Sequence, residues 1–377
     1  MKQTVVHLIN DLERAGAQQM VLSIVRAHDR ERFEPVVVMW GGPGDLKRAF
    51  AELGVEVVDL GARRKLSAEA SWRLVGQLRR RKLAVIHTHL FHMHVMGRLA
   101  ALLAGSQVVV STHHNLRSGN HPLMRVAERW TRPLTTATTA VTEAAESTYF
   151  GDSAPFSEEL FLEGRRHFTI SNGLATEDLD GVRRDTDRAA VRAELGLEGD
   201  FVLAGVGRLH PSKGHEDLLQ AMSEVVRVND GVRLLLVGEG ALRPALESLI
   251  QELGLGSVVT LLGHRSDAAR IVAASDAFVL PSVVEGFGLA VAEAMMLGVP
   301  VIATNLDSIQ EVVGPCGVLV PPRSPHALAD AILSLVKDRP QRSEEGMDRV
   351  RDRFDIRAVV RQYEQLYALL IDLQAGQ

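Results

Sequence analysis

At 377 residues, 46% of them hydrophobic and 24% charged, the chain is long enough for two domains of about 150–200 residues and too apolar to be disordered. A single cysteine, Cys316, rules out a disulfide scaffold, and no apolar run approaches the ~20 residues of a membrane span. The net charge of −5 divides into +2 over residues 1–180 and −7 beyond them, so neither half is basic enough for a nucleic-acid partner.

The N-terminus runs straight into a strand-like segment without the apolar core of a signal peptide, and a cytoplasmic location is expected. Short β-branched runs then alternate with helix-length segments. In the first half the predicted strands are 5–9, 36–40, 55–58, 84–88, 108–111 and 138–141, with helical patterns at 18–27, 68–81 and 94–103 between them. Residues 151–164 read as an insertion loop, and 173–199, charged and poor in apolar runs, as a linker. The rhythm restarts with strands at 201–205, 234–237, 258–261, 277–280, 299–303 and 317–320, and residues 356–373 form one amphipathic helix. Continuously apolar strands separated by helices make parallel sheets covered on both faces, so the pattern predicts α/β architecture with two doubly wound Rossmann-like domains.

In such sheets ligands bind beyond the carboxyl ends of the strands, which makes the segments just after each strand the informative ones. Pro281-Ser282-Val283-Val284-Glu285-Gly286-Phe287-Gly288-Leu289 follows the strand at 277–280 and carries a glutamate in a glycine-rich loop. Glu293 lies eight residues on, in the first turns of the next helix, where the dipole favours an ionised carboxylate able to accept from two adjacent ribose hydroxyls. Gly207-Arg208-Leu209-His210-Pro211-Ser212-Lys213-Gly214 sets two cations five apart at a helix start, an arrangement suited to a diphosphate. For each residue alone, a solvated surface charge is the competing explanation. Val237-Gly238-Glu239-Gly240 is a fragment of a dinucleotide fingerprint or a plain strand-to-helix turn.

Taken in order, Gly207-Arg208-Leu209, Lys213-Gly214, Val237-Gly238-Glu239-Gly240, the Glu285-to-Glu293 string and Gly298-Val299-Pro300 resemble the group 1 (family 4) retaining glycosyltransferases of the GT-B fold. The resemblance implies two domains facing across a cleft: an acceptor-binding domain over 1–172, a linker over 173–199, a nucleotide-sugar domain over 200–355, and a helix at 356–377 crossing back to the first domain. It assigns Arg208 and Lys213 to the donor diphosphate, Glu285 to the donor sugar and Glu293 to the ribose. Phe287, Gly288 and Leu289 line the sugar and phosphate, and Gly16 is the close-approach residue of the first loop, where Ala15 replaces a glycine usual in relatives. His114, with His113 as its one-residue competitor, matches the histidine beside the reacting sugar. Asp307 and Ser308 stand where many relatives have two glycines, which puts donor identity in question. The implied chemistry is sugar transfer, with UDP the expected nucleotide, to a glycan, lipid-linked sugar or small-molecule acceptor, with no cofactor and no metal. An epimerase of the same fold, a nicotinamide oxidoreductase and a non-catalytic nucleotide-sugar binder are the alternatives. The oxidoreductase lacks its Gly-x-Gly-x-x-Gly after the first strand.

Two further features stand outside this set. His87, His89, His92 and His94 fall within eight residues, a zinc-like density without an acidic or thiol partner spaced to complete a site. Residues 61–82 hold eight basic residues and one acid around a helix containing Trp72, Leu74, Val75 and Leu78. This stretch reads as a peripheral contact with the inner face of a membrane, or as a solvated helix face.

Overall fold

The computed structural model describes residues 2–81, 83–105, 108–116 and 122–375. The chain divides into two compact units, Met1–Gly173 with Ile356–Gln377, and Leu174–Asp355.

The first unit is built on strands β1 (Gln3–Ile9), β2 (Phe33–Met39), β3 (Glu56–Asp59), β4 (Leu83–His89), β5 (Val109–His113), β6 (Ala137–Ala140) and β7 (His167–Thr169). They pair in parallel in the order β3-β2-β1-β4-β5-β6-β7, so the strand order reverses between β1 and β4. Five consecutive residues of β1, Val5–Ile9, are buried, as a strand covered by helices on both faces requires. The helix Ile356–Ala375 belongs to this unit by its packing. Val359, Val360, Tyr363, Leu366, Tyr367 and Leu370, spaced three and four apart, bury one stripe against Met20, Ile24, Phe33 and Phe168. At about 1.5–3 kcal/mol for each fully buried large apolar side chain, that stripe anchors the helix firmly.

The second unit repeats the plan with β8 (Phe201–Val206), β9 (Val232–Val237), β10 (Val259–Gly263), β11 (Ala277–Leu280), β12 (Val301–Thr304) and β13 (Val318–Val320), ordered β10-β9-β8-β11-β12-β13 and parallel throughout. Its reversal falls between β8 and β11, so the loops after those two strands occupy the position where open α/β sheets bind ligands.

Three local features differ from the sequence expectation. The stretch read as a linker carries two helices, Thr176–Asp185 and Arg188–Glu194, the second held by Arg188 and Arg192 on Asp276 at 2.9 and 2.6 Å. The presumed insertion loop contains the helix Glu158–Leu162, capped by Ser157, whose hydroxyl accepts from Leu160 N–H. Strand β7 was not anticipated, because three residues, His-Phe-Thr, are too few to show a period.

Candidate active site

In the second unit, the loops after β8 and β11 are tied to each other. Beyond Val206 the chain passes through Gly207, Arg208 and Leu209 into a single 3-10 turn, Pro211–Lys213, where Ser212 N–H donates to His210 Nδ1. Val283 and Val284 N–H both donate to Ser212 O, at 2.9 and 3.3 Å, stitching the β11 loop onto this turn. Gly214 closes the turn at φ +65°, and a Cβ there would stand 2.1 Å from Pro281 O, so only glycine permits the two backbones to meet. Lys213 Nζ then donates to both carboxylate oxygens of Glu285 at 2.8 Å, with side chains only 20% and 13% exposed. Arg208 is exposed and makes no ion pair among the described residues. The result is one paired cation and one available cation in adjoining positions.

The downstream part of the loop is anchored from below. Phe287 is buried and meets Phe354 edge-on, ring centroids 5.2 Å apart, so its ring is a core anchor and only its backbone can face a ligand. Gly288 caps the helix Leu289–Met296 at its N-terminus. Ser308, one of the two residues replacing the usual glycines, donates its hydroxyl to Glu285 O at 2.7 Å, and Asp307 is the first residue of the helix Asp307–Val313. The substitution therefore adds a brace to the Glu285 loop.

Glu293 departs from the sequence argument. The helix starts at Leu289, which puts Glu293 in its second turn, beyond the reach of the terminal dipole. Instead of being held ionised, its carboxyl is pushed up to about 7 by desolvation. Its side chain is nonetheless exposed, so water reaches the group. Solvent screening at an exposed carboxyl tempers that shift, so its upward direction is what stands.

In the first unit, Gly16 opens the helix Gly16–Ala27, with Ala15 as its cap. His113 ends β5, and His114 follows it; the two point to different surroundings. His113 stacks on Tyr149 at 3.8 Å and lies 4.7 Å from His94, whereas His114 Nε2 meets His89 Nδ1 at 3.1 Å and leaves its own Nδ1 buried without a partner among the described residues. Burial holds His114 down at about 4, so it is a neutral imidazole.

Comparison with known proteins matches both units. The model for glycosyl transferases group 1 matches residues 200–338, and that for glycosyltransferase family 4 matches residues 14–149. The chain belongs to the group 1 glycosyltransferases. Among its relatives are the D-inositol 3-phosphate glycosyltransferase of Segniliparus rotundus, 39% identical over 41% of this chain and 37% of that protein, and the UDP-Gal:alpha-D-GlcNAc-diphosphoundecaprenol alpha-1,3-galactosyltransferase of Escherichia coli, 31% identical over 61% and 60%. The chain thus spans less than two-thirds of the length of either. The crystal structure of Anabaena HepE in complex with UDP-glucose superposes with a TM-score of 0.82 over 97% of this chain and 99% of that one, at 22% identity. That likeness establishes the GT-B fold for this chain.

Other sequence signals in the chain resolve physically. Gly238 (φ +141°) is required because a Cβ would stand 1.9 Å from Gly207 O, so Gly238 packs backbone on backbone against the Arg208 loop. The histidine cluster at 87–94 is split by strand alternation and the following helix. His87 and His89 share a face of β4, His94 Nδ1 pairs with Thr88 Oγ1 at 2.9 Å, and His92 sits edge-on to Trp40. Leu74, Val75 and Leu78 of the basic helix are core residues, leaving Trp72 and Leu66 exposed at 65% and 75%. Arg79 donates to Leu103 O at 2.7 Å and Arg81 to Glu56 at 2.5 Å, while Arg63, Arg64, Lys65 and Arg80 are exposed and Lys82 lies outside the described residues. No described helix is long and apolar enough to cross a membrane. Three residues that sequence reasoning passed over, His7, His28 and Glu364, line up behind His89: His7 contacts His89, His28 contacts His7, and Glu364 contacts His28.

Proposed function

We propose that the chain is a retaining glycosyltransferase that moves a sugar from a nucleoside-diphosphate donor to an acceptor hydroxyl. The observation that carries this reading is the paired arrangement after β8 and β11: Arg208 available, Lys213 held by Glu285, and Glu293 eight residues further on. As the sugar–phosphate bond breaks, negative charge grows on the departing diphosphate. Arg208 and Lys213 then lower the barrier by meeting that charge with cations already in place, the contribution a divalent metal would otherwise supply. Glu285, once its lysine engages phosphate, is free to orient sugar hydroxyls, and Glu293 accepts from the ribose. Within the first unit, His114 is a neutral imidazole able to hydrogen-bond a sugar hydroxyl. No carboxylate is assigned as a nucleophile. The acceptor attacks the face the diphosphate leaves, and the leaving phosphate takes up its proton.

UDP is the nucleotide of choice, because the E. coli relative is named for UDP-Gal and the Anabaena protein was crystallised with UDP-glucose. The same relative's diphosphoundecaprenol acceptor, together with exposed Trp72 and the neighbouring arginines, supports a lipid-linked acceptor reached at the inner face of a membrane. The test is transfer from UDP-glucose, UDP-galactose and UDP-N-acetylglucosamine in the presence of EDTA, with product stereochemistry read by NMR. Transfer with retained α configuration supports the proposal. Inverted product or abolition by EDTA overturns the retaining or metal-independent part, and isomerised donor without transfer overturns the transferase itself.

A further inference from the structure

His114 does not stand alone. His7 on β1 and His87 on β4 are register partners, and His89 shares the face of His87, so the sheet brings three imidazoles together. His28, at the C-terminal end of the helix Gly16–Ala27, and Glu364, on the helix Ile356–Ala375, join them. The contacts form one unbranched line. Glu364 Oε1 meets His28 Nδ1 at 3.0 Å, His28 Nε2 meets His7 Nε2 at 3.3 Å, His7 Nδ1 meets His89 Nε2 at 3.1 Å, and His89 Nδ1 meets His114 Nε2 at 3.1 Å. All five side chains are buried.

A neutral imidazole has one N–H and one lone pair, so the direction of a single link fixes every other. Glu364 Oε1 also receives Asp29 N–H at 2.8 Å, which identifies that oxygen as an acceptor. His28 then donates from Nδ1 and accepts at Nε2, His7 donates from Nε2 and accepts at Nδ1, and His89 does the same. His114 must donate from Nε2. Burial, reinforced by neighbouring imidazoles, holds His7 and His89 well below 6.5 and so keeps them neutral, as the directed chain requires.

We propose that Glu364, His28, His7 and His89 are positioning residues that lock His114 as its Nε2–H tautomer and thereby present its unpartnered Nδ1 lone pair as an acceptor for a sugar hydroxyl. The sugar as the ligand class rests on the function proposed above; the tautomer does not. His7, His87 and His89 also bring nitrogens within 4.8 Å of one another, a spacing that would suit a metal. However, His87 is already engaged at both nitrogens, by Tyr367 Oη and Thr112 Oγ1 at 2.6 Å each, and His7 and His89 satisfy each other. Hydrogen bonding accounts for these nitrogens without an ion.

The chain's direction makes a sharp test. Losing the Glu364 acceptor lets His28 revert to Nε2–H, which forces His7, His89 and His114 to reverse in turn, and His114 then presents an N–H in place of a lone pair. Glutamine at 364 keeps an acceptor oxygen. The experiment is 15N–1H correlation of imidazole-labelled protein at pH 7.5 for wild type, Glu364→Ala and Glu364→Gln, with metal content by mass spectrometry and Kd for UDP by calorimetry. Expected are His28 as Nδ1–H and His114 as Nε2–H in wild type and Glu364→Gln, and His114 as Nδ1–H in Glu364→Ala. In Glu364→Ala, kcat should fall about tenfold, the factor for one misdirected hydrogen bond, with UDP affinity unchanged within twofold. His114 as Nδ1–H in the wild type, an imidazolium at His28, or stoichiometric bound metal overturns the proposal from the wild-type protein alone. An unchanged His114 tautomer in Glu364→Ala overturns it as well. If transferase activity is absent while the tautomers follow this pattern, the function fails and the positioning chain stands.

Discussion

The ion pair between Lys213 and Glu285 makes an opposite-signed prediction for two neighbouring residues. Lys213 Nζ reaches both Glu285 oxygens at 2.8 Å, and the pair is largely shielded from solvent. A diphosphate must therefore draw Lys213 away from an existing partner. Replacing Lys213 by alanine removes a charge-assisted contact of about 1.5–3 kcal/mol, so the Kd for UDP should rise roughly 10- to 150-fold. Replacing Glu285 by alanine removes a competitor worth up to about 1 kcal/mol, so UDP binding should hold or tighten by up to about fivefold, while turnover falls because the sugar loses its orienting carboxylate. In the double variant the gain disappears, since Glu285 acts on UDP only through Lys213, and affinity returns to that of Lys213→Ala. Calorimetric titration of UDP into the four proteins, with thermal unfolding as the control for loop collapse, measures the cycle. UDP affinity that drops equally in Glu285→Ala and Lys213→Ala would refute the competition, and unchanged affinity in Lys213→Ala would remove the diphosphate from this site.

Further consequences are equally direct. Desolvation raises the Glu293 carboxyl, and its ionised form is the better acceptor for two hydroxyls, so UDP affinity should fall as the pH drops from 8 to 6. Glu293→Gln should flatten that dependence, leaving only the phosphate's own titration, and an unaltered profile would release Glu293 from the ribose. Gly238→Ala places a Cβ 1.9 Å from Gly207 O and should destabilise the protein by about 1–3 kcal/mol while weakening UDP binding; an unshifted melting temperature would show that the loop yields freely. For membrane contact, Arg80→Glu is the clean variant, because Arg79 and Arg81 hold Leu103 O and Glu56. Reversing one charge at about 1 kcal/mol per unit should weaken sedimentation with phosphatidylglycerol vesicles about thirtyfold, and unchanged sedimentation would leave the helix simply solvated.

What the sequence showed and what it concealed follow from how far apart the cooperating residues lie. The strands were legible because each is a continuous apolar run, buried on both faces, and 277–280 coincides with β11 to the residue. The helices at 176–185 and 188–194 were not, because each buries a single residue, Thr176 or Val191, and the second rests on ion pairs to Asp276 more than 80 positions away. The donor-side residues were legible for the converse reason: Glu285 and Glu293 share one loop and helix, so their spacing carries information. Even there, the local pattern predicts a helix-terminal environment for Glu293, and the observed start at Leu289 removes the dipole and lets desolvation dominate.

The histidine chain marks the other extreme. Its links join residues 21, 25, 82 and 336 positions apart, and no local period could announce them. They meet because parallel pairing puts His7 beside His87, and because an apolar stripe docks the terminal helix on the unit that contains His28. That helix thus has two separable contributions. Its buried stripe of aliphatic and tyrosine side chains supplies the free energy of docking, while Glu364, which adds little to that stripe, supplies a direction to four imidazoles. A variant that keeps the stripe and removes the Glu364 acceptor, such as Glu364→Ala, should therefore leave the fold in place and change which nitrogen of His114 carries the proton.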